Sequence, residues 1–466
     1  MKRNLVILLL LFSAVAVQAQ LRLPHVLSDN MVLQRNATVY IWGWGRAGST
    51  VSLSASWLQD TTRFVVDGSG RWKTAVATSN AGGPYSLDVQ ADAERITLQN
   101  VLLGDVWLCS GQSNMEWSGE QNLKEILDEL PKAHDPEIRL LQVSRYGSDY
   151  PQDDIPNQWQ KLDAQSLKPF SAIGYFIAKE LRKELGVPIG IINASWGGTA
   201  AEVWTPSYFV DPDPELRAAA EKQTAASFRP HAVGVLWNSM LHPLINYKLS
   251  GVFWYQGESN VATWSSYDRL MQRMILSWRL AWNQDYPFYF VQIAPFTYNN
   301  KLPLAALLRE QQMKTATSLR KTAMVVTTDL VDNVGDIHPI QKRAVAKRLA
   351  DIALHEHYLK GERDDYKSPM YKGHRVDGKT MVIDFDHVGK SLVVEGKTVK
   401  HLFIAGQDKV FHEAVAVVKG NQLLVSSASV ATPVAVRFGF GETDMSNLFN
   451  SNGLPVAPFR TDDWSF

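Results

Sequence analysis

The chain has 466 residues, with 47 basic and 47 acidic side chains and a formal net charge of zero at pH 7. That balance gives no electrostatic footprint for a nucleic acid or an extended polyanionic surface, although a single acidic sugar stays compatible with it. A lone cysteine excludes an internal disulfide, and the length predicts two or three domains held by packing alone.

The first segment, residues 1–19, has a basic start at Lys2 and Arg3, an apolar run to Val17, and small residues at Val17 and Ala19. This predicts a secretory signal peptide cleaved after Ala19. The apolar run is shorter than the ~20 residues that span a bilayer. No cysteine follows to be lipidated, so the expected mature protein is soluble, without a membrane span, and periplasmic or secreted.

Residues 20–103 carry short β-type runs such as TVYIWGWG, VSLSA, RFVVDG and ITLQNVLL, separated by Gly, Asp, Asn and Ser turns, which predicts an N-terminal β-sandwich-like domain. Over 104–360 the texture becomes that of a parallel α/β sheet with crossover helices. Its apolar runs are Asp105 to Ser110, Ile189 to Asn193, Gly251 to Tyr255, Pro287 to Ile293 and Thr322 to Thr328. Residues 169–186 and 265–282 space apolar side chains as amphipathic helices do. Cys109 lies in the first run, as a buried structural thiol would. From 361 to 466 strands and turns return, as in TMVIDFD, SLVVEG and PVAVRFGFG, giving a C-terminal β region. Whether the two β regions join is not fixed by pattern.

In open α/β sheets ligands bind beyond the carboxyl ends of the strands. The first run leads into GQSNM (111–115), the second into WGGT (196–199), the third into QGESN (256–260), and the last through DLVDNVGDIHP to His338. These clusters hold the parts of an acyl-transfer site. Ser113 is the candidate nucleophile and needs a base within hydrogen-bond reach. His338 is that candidate, because a neutral imidazole can take the proton and return it to a leaving alkoxide. Backbone N–H groups at Ser113 and Gly198 and the side-chain amide of Gln256 are the candidate oxyanion donors.

Taken in order, GQSNM, WGGT, WYQGESN and DIHP resemble the sialate O-acetylesterase branch of the SGNH hydrolases, and the opening LPHVLSDNMVLQR and closing GLPVAPFRTDDW resemble its long form. The resemblance covers nearly the whole mature chain. It implies a flavodoxin-like α/β domain, Ser113 as nucleophile, His338 as base, Gly198 and Gln256 in the oxyanion hole, and neither metal nor organic cofactor. Many superfamily members carry an asparagine in the third block, so Asn260 competes with Gln256 for the donor role.

The triad acid is open. The family position three before the histidine is Gly335, and Asp336 stands two before it. Either Asp336 orients His338, or the pair works as a dyad with a backbone carbonyl or Glu258 steadying the ring. Pro339 favours a first helical position, which predicts His338 at the N-cap of the helix that follows. Asn114 and Glu258 read as loop organisers, Glu258 with substrate contact as the alternative. Among the 15 tryptophans, Trp196 and Trp204 are the candidates for stacking on sugar, while Trp107, Trp254 and Trp278 read as packing residues. His355-Glu356-His357 lacks the three- or four-residue spacing of helix-borne metal ligands. The expected substrate is an acetylated sugar or glycan, O-acetylated sialic acid or acetylxylan. A non-catalytic carbohydrate-binding protein is the reading from a different class. Oligomeric state is not legible.

Overall fold

Strands Val32–Gln34 (β1), Thr38–Trp44 (β2), Thr50–Ala55 (β3), Thr62–Val65 (β4), Arg71–Ala77 (β5) and Gly82–Ala91 (β6) follow the period-two rule of a half-buried sheet. In β3, Val51, Leu53 and Ala55 are buried and Ser52 and Ser54 only partly so. β3 pairs with β4 and β6, and β2 with β5. The structure is a computed structural model that describes residues 20–360 and 366–465. The expected signal segment, 1–19, lies outside the described residues, as does the end of the expected boundary at 361–365.

Glu94–Gly111 (β7) is a single strand of 18 residues. Its first half pairs antiparallel with β6, and its second half, from Asp105, pairs parallel within the next sheet. The expected boundary at 103/104 therefore falls inside one continuous strand. The change of texture has a physical cause: up to Asn100 the strand is mostly exposed or half-buried, and from Val101 every residue is buried.

Asp135–Gln142 (β8), Gln160–Leu162 (β9), Ile189–Ser195 (β10), Gly251–Tyr255 (β11), Phe288–Val291 (β12) and Thr322–Val325 (β13) complete the central sheet in the order β13-β12-β11-β7-β10-β8-β9. All pairings from β13 to β8 are parallel, and β9 returns antiparallel at the edge. The five apolar runs are thus strands, and β8 and β9 are additions. The charged start of β8, Asp135-Pro136-Glu137, hides it from a pattern search.

The helices that frame the site are Ser113–Glu116 (α1), Ala172–Leu185 (α2), Tyr267–Ala281 (α3), Leu304–Ser318 (α4) and Lys342–Glu356 (α5), with other short helical segments between them. Ser171 caps α2 by accepting the Gly174 N–H at 3.0 Å, and Gly186 ends it at φ 68°. Successive residues of each strand face opposite ways. Trp107, Cys109, Phe253 and Tyr255 join the core under α2 and α5. Val106, Leu108, Val252 and Trp254 join the core under α3, which runs on without a break into the N-terminal strands. Each large aliphatic side chain so buried stabilises the fold by about 1.5–3 kcal/mol.

The C-terminal region has its own core around Met381, Ile383, Leu423, Phe438 and Phe459. Its strands are Met370–Asp377 (β14), Thr380–Asp386 (β15), Leu392–Val394 (β16), Leu402–Ala405 (β17), Phe411–Glu413 (β18), Val415–Lys419 (β19), Gln422–Ser426 (β20), Ala435–Phe438 (β21), Leu448–Asn450 (β22) and Phe459–Arg460 (β23). They form sheets β14-β15-β20-β19 and β18-β17-β21-β23 and the pair β16-β22. Among the described residues no ladder joins them to the N-terminal strands. They seat on α4, where Arg460 clasps Glu310 through two hydrogen bonds of 3.0 Å and Phe440 packs on Ala306 and Leu307. Among the described residues no helix is long and apolar enough to cross a membrane.

Candidate active site

β7 lies between β10 and β11, so the clusters GQSNM, WGGT and QGESN leave adjacent strands at one edge of the sheet. Gly111 ends β7 at φ 133°, where an added Cβ would lie 2.2 Å from the Tyr255 carbonyl oxygen, so only glycine allows this close turn. The turn delivers Ser113 as the first residue of α1.

His338 arrives from the loop after β13. Its Nε2 lies 2.9 Å from Ser113 Oγ although 225 residues separate the two. Asp336 Oδ1 accepts the His338 backbone N–H at 2.9 Å and lies 3.5 Å from Nδ1. The Trp117 ring stacks on the imidazole at 4.3 Å and 22°. Burial and the nearby Lys342 charge push His338 below its ordinary pKa, and Asp336 opposes them in part. His338 is not a helix N-cap as the sequence predicts: α5 starts at Lys342 with Gln341 as its cap. Pro339 bars the helical conformation to the residue before it, and the His338 N–H is already taken by Asp336, so the chain bends once more before coiling.

Gln256 stands differently from the sequence expectation. Its amide hydrogens go to Thr199 O at 3.2 Å and Asn260 Oδ1 at 2.7 Å, and its Oε1 accepts the Tyr267 hydroxyl at 2.8 Å. With both N–H bonds spent in a dry interior, it has none left for an oxyanion here. Asn260 is equally committed, donating to the buried Glu202 carboxylate at 2.8 Å and accepting the Ala201 N–H at 3.0 Å. Burial pushes the Glu202 carboxyl up.

Trp204 is a second correction. It is fully buried, donates to Thr199 Oγ1 at 3.0 Å and meets Trp254 edge to face, so it cannot stack on a sugar. Trp107, Trp254 and Trp278 are buried as expected of packing residues. Trp196 is half-buried beside Gly197, its Nε1–H bonded to Phe228 O at 2.9 Å. An added Cβ on Gly197 would lie 3.4 Å from Ser113 Cβ, which places this loop against Ser113. Gly198 sits at φ 72° under Phe228 and Arg229.

Asn114 and Glu258 face each other, with Asn114 Nδ2 donating to Glu258 Oε1 at 2.6 Å and to Ile337 O at 3.1 Å. Burial raises the Glu258 carboxyl. The carboxylate thus acts on the loops through Asn114. The groups of 355–357 are engaged locally: His355 Nδ1 on Asp351 O, Glu356 on Lys367, His357 edge-on to Trp107. Cys109 is buried, which pushes its thiol up.

Several neighbours of Ser113 escape sequence reading. Glu116 accepts the Gly197 N–H and pairs with Arg145, Trp117 covers the imidazole, and Lys342 lies buried below it. Glu116 and Trp117 stand three and four residues after Ser113, a helical spacing that carries them to its side. Lys342 stands four after His338. Nothing in the sequence marks Arg229, whose Nη1 donates to Gly198 O.

A family model described as "Carbohydrate esterase, sialic acid-specific acetylesterase" matches residues 103–355. Human sialate O-acetylesterase is 31% identical over 387 residues, covering 74% of this chain and 73% of its own length. The rat protein of the same name is 30% identical over 393 residues, covering 70% and 72%. A carbohydrate acetylesterase from Xanthomonas citri superposes with a TM-score of 0.87 at 37% identity, covering 96% of this chain and 100% of that one.

Proposed function

Because the chain belongs to the sialic acid-specific acetylesterase family of carbohydrate esterases, and is thereby a carboxylic ester hydrolase that deacetylates carbohydrate, we propose that Ser113 is its nucleophile and His338 its general base. The observation that carries this reading is the 2.9 Å separation of Ser113 Oγ and His338 Nε2. It is the hydrogen-bond distance that proton transfer requires.

Ser113 Oγ attacks the acetyl carbonyl carbon while its proton passes to His338 Nε2. The carbonyl electron pair becomes an oxyanion. The N–H of Ser113, in the first turn of α1 where no intrahelical acceptor exists, and the N–H of Gly198 are the donors we assign to it. Collapse breaks the bond to the sugar oxygen, which takes the proton from His338 and leaves as a hydroxyl. A water molecule, deprotonated by the same nitrogen, then attacks the acetyl carbon, and collapse breaks the bond to Ser113 Oγ, which takes the proton back from His338 as acetate departs. Asp336 orients the ring, and Gln256 serves by holding Thr199 and so the glycine loop.

O-acetylated sialic acid is the substrate we assign, with export by the 1–19 segment as part of the same reading. The family description and the names of the human and rat relatives support the sugar. Two measurements test this. A chromogenic acetate ester should be hydrolysed by the parent and not by Ser113→Ala, and retained activity in the variant overturns the nucleophile. Acetate release should be faster from 9-O-acetylated sialoglycan than from acetylated xylan, and the reverse order overturns the substrate.

A further inference from the structure

Below the imidazole lies a charged cluster that the steps above do not use. Lys342, 1% exposed, donates from Nζ to Asn114 Oδ1 at 2.6 Å. The same amide donates to Glu258 Oε1 at 2.6 Å and to Ile337 O at 3.1 Å. Asn114 follows the nucleophile and Ile337 precedes the base. One side chain therefore clips two loops that are 223 residues apart. The carboxylate on one side and the ammonium on the other fix which way the amide points.

An ammonium in a dry interior is costly unless paired, and the first turn of α5 would accept an apolar residue at less cost. From the proposed roles of Ser113 and His338, on which this rests, we infer that Lys342 is a positioning residue: its ammonium locks the Asn114 clip, and its charge adds to burial in disfavouring a protonated imidazole beside it. The groups facing Lys342 are Glu258 from the loop after β11, Glu125 from the turn 124–127, Asp332 and Asp336 from the loop after β13, and the rings of Trp117 and Tyr255 at 5.5 and 5.8 Å. Burial pushes Lys342 down to about 7 against the pull of those carboxylates. His338 titrates below its ordinary value, in the range where Lys342 still carries its charge.

The test uses the full chain, with Lys342→Gln and Lys342→Met compared with the parent on a chromogenic acetate ester across pH, and thermal unfolding as a check on folding. Loss of the charge should move the acid limb of kcat/KM to higher pH in both variants. The plateau kcat should fall further for Met, because Gln can still donate to Asn114. A lower kcat with an unmoved limb means a merely structural lysine and overturns the inference. Should neither neutral variant fold, Lys342→Arg keeps the charge and must leave the limb in place, so a displaced limb overturns it. Absence of Ser113-dependent hydrolysis in the parent would instead overturn the function from which the inference starts.

Discussion

Asp336 holds His338 by backbone and ring together, its Oδ1 accepting the backbone N–H at 2.9 Å and lying 3.5 Å from Nδ1. The carboxylate is 50% exposed and the ring contact is long, so water competes for it. In a serine protease whose acid is buried and closely bonded, the Asp to Asn change costs about 10⁴ in kcat. Asp336→Asn should cost less here, roughly 10- to 100-fold, because its oxygen can still hold the loop. The pH profile carries a second readout. The general base works unprotonated, so activity rises with pH through the His338 midpoint, which lies below 6.5 in the parent. Asp336 is the group that raises that midpoint, so Asp336→Asn should move the acid limb lower still. A loss under tenfold with an unmoved limb would leave a dyad.

Gln256 is the place where two roles can be told apart by stability. Removing its side chain in Gln256→Ala takes from buried Thr199 O its side-chain donor and one bond each from the Tyr267 hydroxyl and Asn260 Oδ1, which keep Gln256 O and the Ala201 N–H. That should destabilise the fold by about 1–3 kcal/mol, with activity falling alongside. Thermal unfolding and kcat measured on the same sample decide it. A fall of roughly 10²-fold or more in kcat with an unchanged melting temperature would return the amide to the oxyanion hole.

The contrast between Gln256 and Ser113 shows how much the sequence carries. Strands in the sheet centre are legible because burial on both faces forces continuous apolar runs, and ligands gather where such runs end. Ser113, Gly198 and His338 follow from that rule. What a donor is already bonded to depends on how the chain folds back, and Gln256 is spent on Thr199, 57 residues away, and on Asn260 and Tyr267, 4 and 11 residues further along the chain. Trp204 misleads for the same reason, since proximity to WGGT along the chain says nothing of which face of the sheet a ring takes. The 103/104 boundary lies inside a strand because a strand can change its surroundings without a break in the chain.

Acid stability should hinge on Glu129, which joins α2 to α5. It accepts from Tyr175 at 2.7 Å, Lys179 at 2.6 Å and Arg343 at 2.9 Å. Burial alone would raise this carboxyl, but the bonds from Lys179, Arg343 and Tyr175 outweigh it and hold it at about 2 against an ordinary 4.5. A depressed folded value means the unfolded chain binds the proton more readily. The stabilisation is thus complete above pH 4.5 and lost as pH falls through about 2. Glu129→Gln should melt below the parent at neutral pH, with the gap closing between those limits. Melting curves that stay parallel down to pH 2 would show that Glu129 contributes nothing by its charge.

Recognition of an acidic sugar requires a cation near Ser113, and the two arginines at the WGGT loop are not equivalent. Arg145 is neutralised by Glu116, whereas among the described residues no carboxylate lies within ion-pair reach of Arg229. Arg229 donates to Gly198 O, lies 5.8 Å from the Phe228 ring centroid, and leaves its Nε buried without a partner. A guanidinium with spare donors at the Gly198 loop suits a sugar carboxylate. A charge-assisted hydrogen bond contributes about 1.5–3 kcal/mol, which is roughly a 10- to 150-fold change in affinity. Arg229→Gln, which can still donate to Gly198 O, should raise KM for 9-O-acetylated sialic acid by that order while changing kcat/KM for a neutral chromogenic acetate far less. Equal losses on the two substrates would mean that Arg229 only shapes the glycine loop, and the carboxylate would then have to be bound by another cation.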